Sequence, residues 1–183
     1  MAFVVVINGP IAAGKSTVAG ALAVELRRDG RSAAILDLDE IYLMSGHKPM
    51  EDPNTWLRAR RAAAALTDSF LSSGIEIEIL EGRFWDKAER APFLDNLTWS
   101  GEPSFVTLLV SYDEAFRRVQ GDTTRGISRN PEFLKKTHAD FEAILEPLKL
   151  TDLVLDSTRQ TAKQIAKAIL AAVTNSELGL PPG

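Results

Sequence analysis

Residues 7 to 17 read "INGPIAAGKST" and place Gly9, Gly14, Lys15 and Ser16 at the spacing G-x-x-x-x-G-K-[ST]. The stretch follows an apolar run, "FVVVIN" (3–8), and opens a helical pattern, so it reads strand, loop, helix. Glycines at both ends let a backbone wrap closely around an anion. Successive N–H groups and the start of the next helix then point at it. At this spacing Lys15 reaches the β- and γ-phosphates of a nucleotide, and the Ser16 hydroxyl ligates Mg²⁺. Gly9, Pro10, Ala12, Ala13, Gly14, Lys15, Ser16 and Thr17 form the candidate nucleotide-binding set. Asn8 reads as a strand-end hydrogen-bonder and Thr17 as a first-turn hydroxyl.

Four further runs read as strands: "SAAILDLD" (32–39), "IEIEILEG" (75–82), "SFVTLLVSY" (104–112) and "DLVLDS" (152–157). Helical patterns fall between and after them, at 15–29, 54–73, 86–97, 113–120, 131–146 and 160–174. This alternation predicts a three-layer α/β domain with a parallel sheet and helices on both faces. Most strands are continuous apolar runs, as burial on both faces demands. "IEIEIL" departs, with Glu76 and Glu78 on one face. They are expected near the strand's entry end, solvated or paired. The tail "NSELGLPPG" (175–183) reads as loose.

The chain of 183 residues is long enough for one sizeable core, and residues 1–183 read as a single domain. No apolar run is long enough to span a membrane, and the N-terminus lacks the pattern of a signal peptide. The absence of cysteine excludes disulfides, a thiolate metal site and a cysteine nucleophile, and fits a cytoplasmic protein. A net charge of −4 argues against a large nucleic-acid footprint. Nothing in the chain selects an oligomeric state.

Neither D-x-x-G nor N-K-x-D occurs, so the guanine-nucleotide switch pattern is absent. Three segments point instead to phosphoryl transfer. In "ILDLDEI", Asp37 and Asp39 are expected at the end of the second strand, two residues apart and on one face. One would serve metal-bound water, and the other would accept the proton of an attacking hydroxyl. In "EILEGRFW", Glu81 ends the third strand where an acid would sit near Mg²⁺, and Gly82 allows close approach. Arg83 would meet an anionic group. "FRRVQGDTTRGISRNPEF" carries Arg117, Arg118, Arg125 and Arg129 around a polar break. A mobile lid over residues 117–131 would use such arginines to neutralise the transferring group. Arg118 and Arg125 are favoured, then Arg129.

The loop "GPIAAGKST", the D-x-D at 37–39 and the arginine-rich segment resemble the nucleoside-monophosphate-kinase-like group of small P-loop kinases. That group includes shikimate, gluconate and adenylylsulfate kinases and chloramphenicol phosphotransferase-like enzymes. The resemblance implies a P-loop NTPase fold with five parallel strands in order 2-3-1-4-5, ATP with Mg²⁺, and a lid that closes. It favours Asp39 as the residue facing the acceptor, with Asp37 on the metal side. Lys15, Arg118 and Arg125 complete the expected catalytic set, and Ser16, Asp37 and Glu81 the metal side. Two departures bear on the acceptor. "EGRFW" replaces the glycine run of shikimate kinases, and the R-D-x-K-G-L-Y-type segment of adenylylsulfate kinases is missing.

The segment from about 40 to 73 is expected to build the acceptor pocket. Tyr42, Met44, Met50, Trp56 and Leu57 would supply apolar surface, and His47, Lys48 and Arg58 polar groups. Arg60 and Arg61 are expected on a solvated face, and His138 at the surface. Arg58 and Arg83, with Phe84 and Trp85, extend the candidate pocket beside Asp37, Asp39 and Glu81. In "LDSTRQTAKQI", Ser157 or Thr158 would cap the last helix, and the resemblance to these kinases, in which this loop often touches the adenine, implies Thr158 and Arg159 beside it. The favoured function is ATP-dependent phosphorylation of a hydroxyl on an antibiotic-like molecule or metabolite. The alternatives are a nucleotide, nucleoside or adenylylsulfate-type kinase, and a nucleotide-binding regulatory ATPase module.

Overall fold

The computed structural model describes residues 2–44, 52 and 54–177. Its elements run β1 (Phe3–Asn8), α1 (Lys15–Arg28), β2 (Ala33–Asp37), α2 (Leu38–Met44), α3 (Thr55–Ser72), β3 (Ile77–Glu81) and α4 (Lys87–Leu94). They continue with β4 (Ser104–Leu109), α5 (Tyr112–Gln120), a 3₁₀ turn at Ile127–Arg129, α6 (Pro131–Glu142), α7 (Leu145–Lys149), β5 (Leu153–Asp156) and α8 (Ala162–Glu177). The five strands are all parallel, in the order β2-β3-β1-β4-β5.

Alternate residues of β1 enter two cores. Val5 and Ile7 pack with Ile77, Ile79, Val106 and Leu108 under α1 and α8. Val4 and Val6 pack with Leu36 and Leu80 against Ala59, Ala63 and Ala64 of α3 and Phe93 of α4. Both faces of β1 thus have helices over them, which is why "FVVVIN" needs no polar alternation. β1 lies between β3 and β4, so the connections diverge at its carboxyl end, where a parallel sheet opens a crevice. Glu81 sits in register with both Ile7 and Asp37. One acid at the end of β2 and one at the end of β3 therefore reach the same level beside the loop that follows β1.

Several boundaries differ from the sequence reading. The second strand stops at Asp37, and α2 starts at Leu38. Asp37 Oδ1 accepts the Asp39 N–H at 2.8 Å, so the aspartate turns the chain into a helix instead of extending the strand. The helix expected over 131–146 is two helices. Pro147, inside α7, has no N–H to give to the Ala143 carbonyl, and its ring crowds that carbonyl, which favours the break between α6 and α7. Residues 175–177, expected in a loose tail, belong to α8. Residues 178–183 lie outside the described part.

The two glutamates of "IEIEIL" part company. Glu76 precedes β3, accepts the Ser32 N–H at 3.0 Å and lies 3.7 Å from Arg31, as a paired carboxylate. Glu78 is wholly buried in β3, and neither oxygen has a hydrogen-bond partner. The buried Thr67 hydroxyl of α3 faces it without closing a bond. Its strand position, not its polarity, sets this burial, and desolvation pushes its carboxyl up to about 8.

Candidate active site

The phosphate loop joins β1 to α1. At Gly9, φ is +146°, and a Cβ there would stand 2.7 Å from the Leu108 carbonyl oxygen of β4. Only glycine fits so close to the neighbouring strand. Ala12 adopts φ +62°, which turns its carbonyl towards Arg118, whose Nη1 donates to it at 3.0 Å. The Lys15 ammonium donates to the Gly9 and Pro10 carbonyls at 3.3 and 3.2 Å. Ser16 Oγ donates to Glu81 Oε2 at 2.8 Å.

Three carboxylates converge on this lysine. Desolvation pushes the Lys15 ammonium below its ordinary range, while the charges of Asp39, Glu81 and Asp37 pull it back. Burial raises Asp39 as well, against the pull of Lys15 and with a smaller push from Asp37. Glu81 is pushed up to about 7 by burial, opposed by the Ser16 hydrogen bond. Asp39 reaches the crevice from the first turn of α2 rather than from a strand. Gly82 permits this approach, because a Cβ there would lie 2.6 Å from Leu38 Cβ.

On the other side of the loop lies a cleft of about 520 Å³. Its walls are Ala12, Ala13, Gly14, Thr17 and Val18 on one side and Ser157 to Ala162 with Ile165 on the other. Arg118 and Arg125 border it. Arg118 also donates to the Ser157 carbonyl at 2.7 Å and pairs with Glu114 at 2.8 Å. It ties the phosphate loop to the segment after β5.

The sequence model of the adenylylsulphate kinase family matches residues 1–45, a span that holds the phosphate loop, Asp37 and Asp39. No curated protein matches the chain by sequence. Three solved structures superpose over nearly the whole chain. The tunicamycin resistance protein of Deinococcus radiodurans is 17% identical, with a TM-score of 0.59, covering 99% of this chain and 98% of its own. A gluconokinase of Sinorhizobium meliloti 1021 is 19% identical at 0.65, covering 97% and 95%. The shikimate kinase of Acinetobacter baumannii, solved with shikimate, is 23% identical at 0.65, covering 97% and 96%. The fold is that of the P-loop small-molecule kinases.

Within this P-loop kinase fold the remaining candidate residues are distributed unevenly. The segment expected as a lid, 117–131, starts on a helix. Arg117 and Arg118 belong to α5, and the non-helical stretch begins at Gly121. Arg117 points outwards and pairs with Glu114 at 2.6 Å. Arg125 pairs with Asp122 at 3.2 Å, and its charge reaches Lys15. Arg129 is exposed in the 3₁₀ turn. Thr158 borders the cleft but does not cap α8, and neither does Ser157. Thr161 and Gln164 bond reciprocally there, in a capping box legible as "TAKQ".

The acceptor side needs more correction. Phe84 does not line the crevice. It is fully buried in the core, edge-on to Phe93 and Phe105. Trp85 is buried too, against Phe141, with its indole N–H 3.4 Å from the Gly9 carbonyl. Arg83 is engaged by Glu89 at 2.7 Å and lies over the Trp85 ring. Arg58 pairs with Asp52 at 2.7 Å. It borders a second cleft of about 490 Å³ between α2 and α3, with Ile41, Tyr42, Met44 and Leu66. Trp56 stacks on Tyr42 at 4.3 Å. Arg61 is exposed, but Arg60 is buried. It shares the inward stripe of α3 with Ala59, Ala63, Ala64 and Thr67, and donates to the Arg83 carbonyl at 3.0 Å. His138 is likewise buried, its Nε2 3.2 Å from the Ile11 carbonyl. His47, Lys48 and Met50 lie outside the described residues. Among the described residues, no group of three or more His, Cys, Asp or Glu could hold a metal ion, and no helix is long and apolar enough to cross a membrane.

Proposed function

We propose that this chain is an ATP-dependent phosphotransferase that moves the γ-phosphoryl group to a hydroxyl of a small molecule, in the cytoplasm where ATP is supplied. The observation that carries the reading is the convergence of Lys15, Asp37, Asp39 and Glu81 at the carboxyl edge of the sheet, next to a nucleoside-sized cleft. The cleft bordered by Arg118 and Thr158 would take the nucleoside, and the loop amides its phosphates. Hard oxygen donors at Ser16, Glu81 and Asp37 fit Mg²⁺, which takes one or two carboxylates and completes its shell with water and phosphate oxygens. Bound there, Mg²⁺ would neutralise charge on the phosphates.

Asp39 is the residue for the acceptor hydroxyl. Its burial raises its basicity above that of a solvated aspartate, and the nearby Lys15 charge favours the ionised form that can take the proton. Lys15 and Arg125 would hold the charge of the transferring group, and the rate would come mainly from positioning. The named neighbours are a tunicamycin resistance protein, a gluconokinase and a shikimate kinase, which favours an antibiotic-like or polyhydroxy acceptor. The match over residues 1–45 supports adenylylsulfate as the second acceptor to try.

The test is transfer of label from γ-labelled ATP, with Mg²⁺, to a panel of hydroxylated antibiotics, sugar acids, shikimate, adenylylsulfate and nucleosides. Label on one small molecule supports the proposal and names the acceptor. Label confined to inorganic phosphate across a broad panel points to a nucleotide-hydrolysing module instead.

A further inference from the structure

Phe84 has both of its main-chain polar groups held by side chains. Its N–H donates to Asn8 Oδ1 at 3.1 Å, and its carbonyl accepts from Arg90 Nε at 3.0 Å. The two holding residues are joined to each other. Asn8 Nδ2 donates to Thr107 Oγ1 at 3.2 Å, and Thr107 Oγ1 donates to Asp152 Oδ2 at 2.5 Å. Asp152 accepts Arg90 Nη1 and Nη2 at 2.9 and 2.7 Å. The hydrogen bonds therefore close a ring through the last residue of β1, the interior of β4 and of α4, the residue before β5 and the β3–α4 turn.

Every proton in this ring has one possible direction. A backbone N–H can only donate, so the Asn8 oxygen must face Phe84 and its amide nitrogen must face Thr107. The Thr107 hydroxyl then has its own proton for the carboxylate, and the guanidinium supplies only donors. The Asp152 side chain is fully buried and that of Arg90 nearly so, beneath Phe105. Stability alone is a poor reason for such a pair, since removing two charges from water costs about as much as their attraction returns. What the ring does achieve is geometric. Asn8 is the last residue before the phosphate loop, and Phe84 lies three residues after Glu81.

We infer that Asn8, Thr107, Asp152 and Arg90 are positioning residues that fix the β3–α4 turn, and with it Glu81, against the phosphate loop. The inference rests on the phosphotransferase reading for its functional consequence, because the geometry held constant is the Glu81–Ser16 pair on the metal side. Supporting groups of this kind are worth roughly 10–100-fold in metal affinity.

The test compares wild type with Thr107→Val and Thr107→Ser, with binding of the non-hydrolysable analogue AMP-PNP measured by calorimetry with and without Mg²⁺. Amide exchange is followed in parallel without nucleotide. Thr107→Val is expected to keep metal-free AMP-PNP affinity, lose roughly tenfold or more of the Mg²⁺ enhancement, and exchange faster at residues 81–85. Thr107→Ser, which keeps the hydroxyl, should restore both. A folded valine variant with wild-type Mg²⁺ enhancement and wild-type exchange at 81–85 would overturn the inference. If the valine variant does not fold, Arg90→Lys keeps the buried charge but loses the fork and the bond to Phe84, and carries the same readouts. Failure of both to fold would reduce the ring to a stability element and overturn the positioning role. Absence of any Mg²⁺ enhancement in wild type would instead remove the phosphotransferase reading.

Discussion

Ser16 donates a 2.8 Å hydrogen bond to Glu81 across 65 residues of sequence, joining the first turn of α1 to the end of β3. The pair brings a hydroxyl and a carboxylate to the edge of the phosphate loop. Burial holds the Glu81 carboxyl near 7, so its charge changes in the range where the protein would work. Mg²⁺-supported AMP-PNP binding is therefore expected to strengthen as pH rises from 6 to 8, as the carboxylate forms. Glu81→Gln should flatten that rise and weaken the Mg²⁺ enhancement. Calorimetric titrations at pH 6, 7 and 8 check it.

Asp39 lies within the field of Lys15 without being a ligand of the loop. Asp39→Asn should lower phosphoryl transfer by about 10²-fold or more, the usual size of a general-base contribution. AMP-PNP affinity should stay within about threefold, since the lost charge faces the acceptor rather than the nucleotide. Unchanged turnover in a folded variant would remove Asp39 from the base role.

Arg118 and Arg117 are sequence neighbours with different surroundings. Arg118 bridges the Ala12 and Ser157 carbonyls beside the cleft, whereas among the described residues Arg117 pairs only with Glu114, at the surface. Arg118→Ala should weaken AMP-PNP binding by about tenfold or more, on the scale of a lost hydrogen bond from a charged group. Arg117→Ala should change stability by no more than about 0.5 kcal/mol and leave binding unaltered. Thermal melts and binding isotherms on the two variants separate them.

Glu78 makes the fold sensitive to pH. Its carboxyl, ordinarily at 4.5, titrates near 8 in the folded chain. The unfolded chain thus gives up this proton earlier than the folded one. The associated stability is present below about 4.5, declines by up to about 1.4 kcal/mol per pH unit above it, and is gone above about 8. The midpoint of thermal unfolding should fall across that window, and Glu78→Gln should remove much of the fall. An unchanged pH slope in the variant would show that other groups carry it.

Much of the site near the loop was legible in the sequence because its geometry is local. The spacing from Gly9 to Ser16 is satisfied within one turn between a strand and a helix. The alternation of strands and helices restricts where such a loop can sit in a parallel sheet. Asp37, Asp39 and Glu81 were legible as a set because strand ends in a parallel sheet share one edge, although Asp39 arrives by a helix.

The acceptor side was not legible in the same way. Phe84 and Arg83 follow the correct strand, but the Asn8–Arg90 ring turns the Phe84 side chain into the core, and Glu89 draws Arg83 aside. Arg60 and His138 were read as surface residues from their polarity. A helix stripe that otherwise carries alanines and threonines buries one, and a phosphate-loop carbonyl beside the other gives it a partner.

The sequence by itself determined the class of fold, the phosphate loop and the acids at the sheet edge, because each follows from spacing along a few residues or from periodicity within one element. Only the tertiary structure decided which polar groups are buried, which arginines are already engaged, and how Glu81 is held to the loop. The Ser16–Glu81 and Arg118–Ala12 contacts join residues 65 and 106 positions apart, and no local pattern encodes a partner that distant.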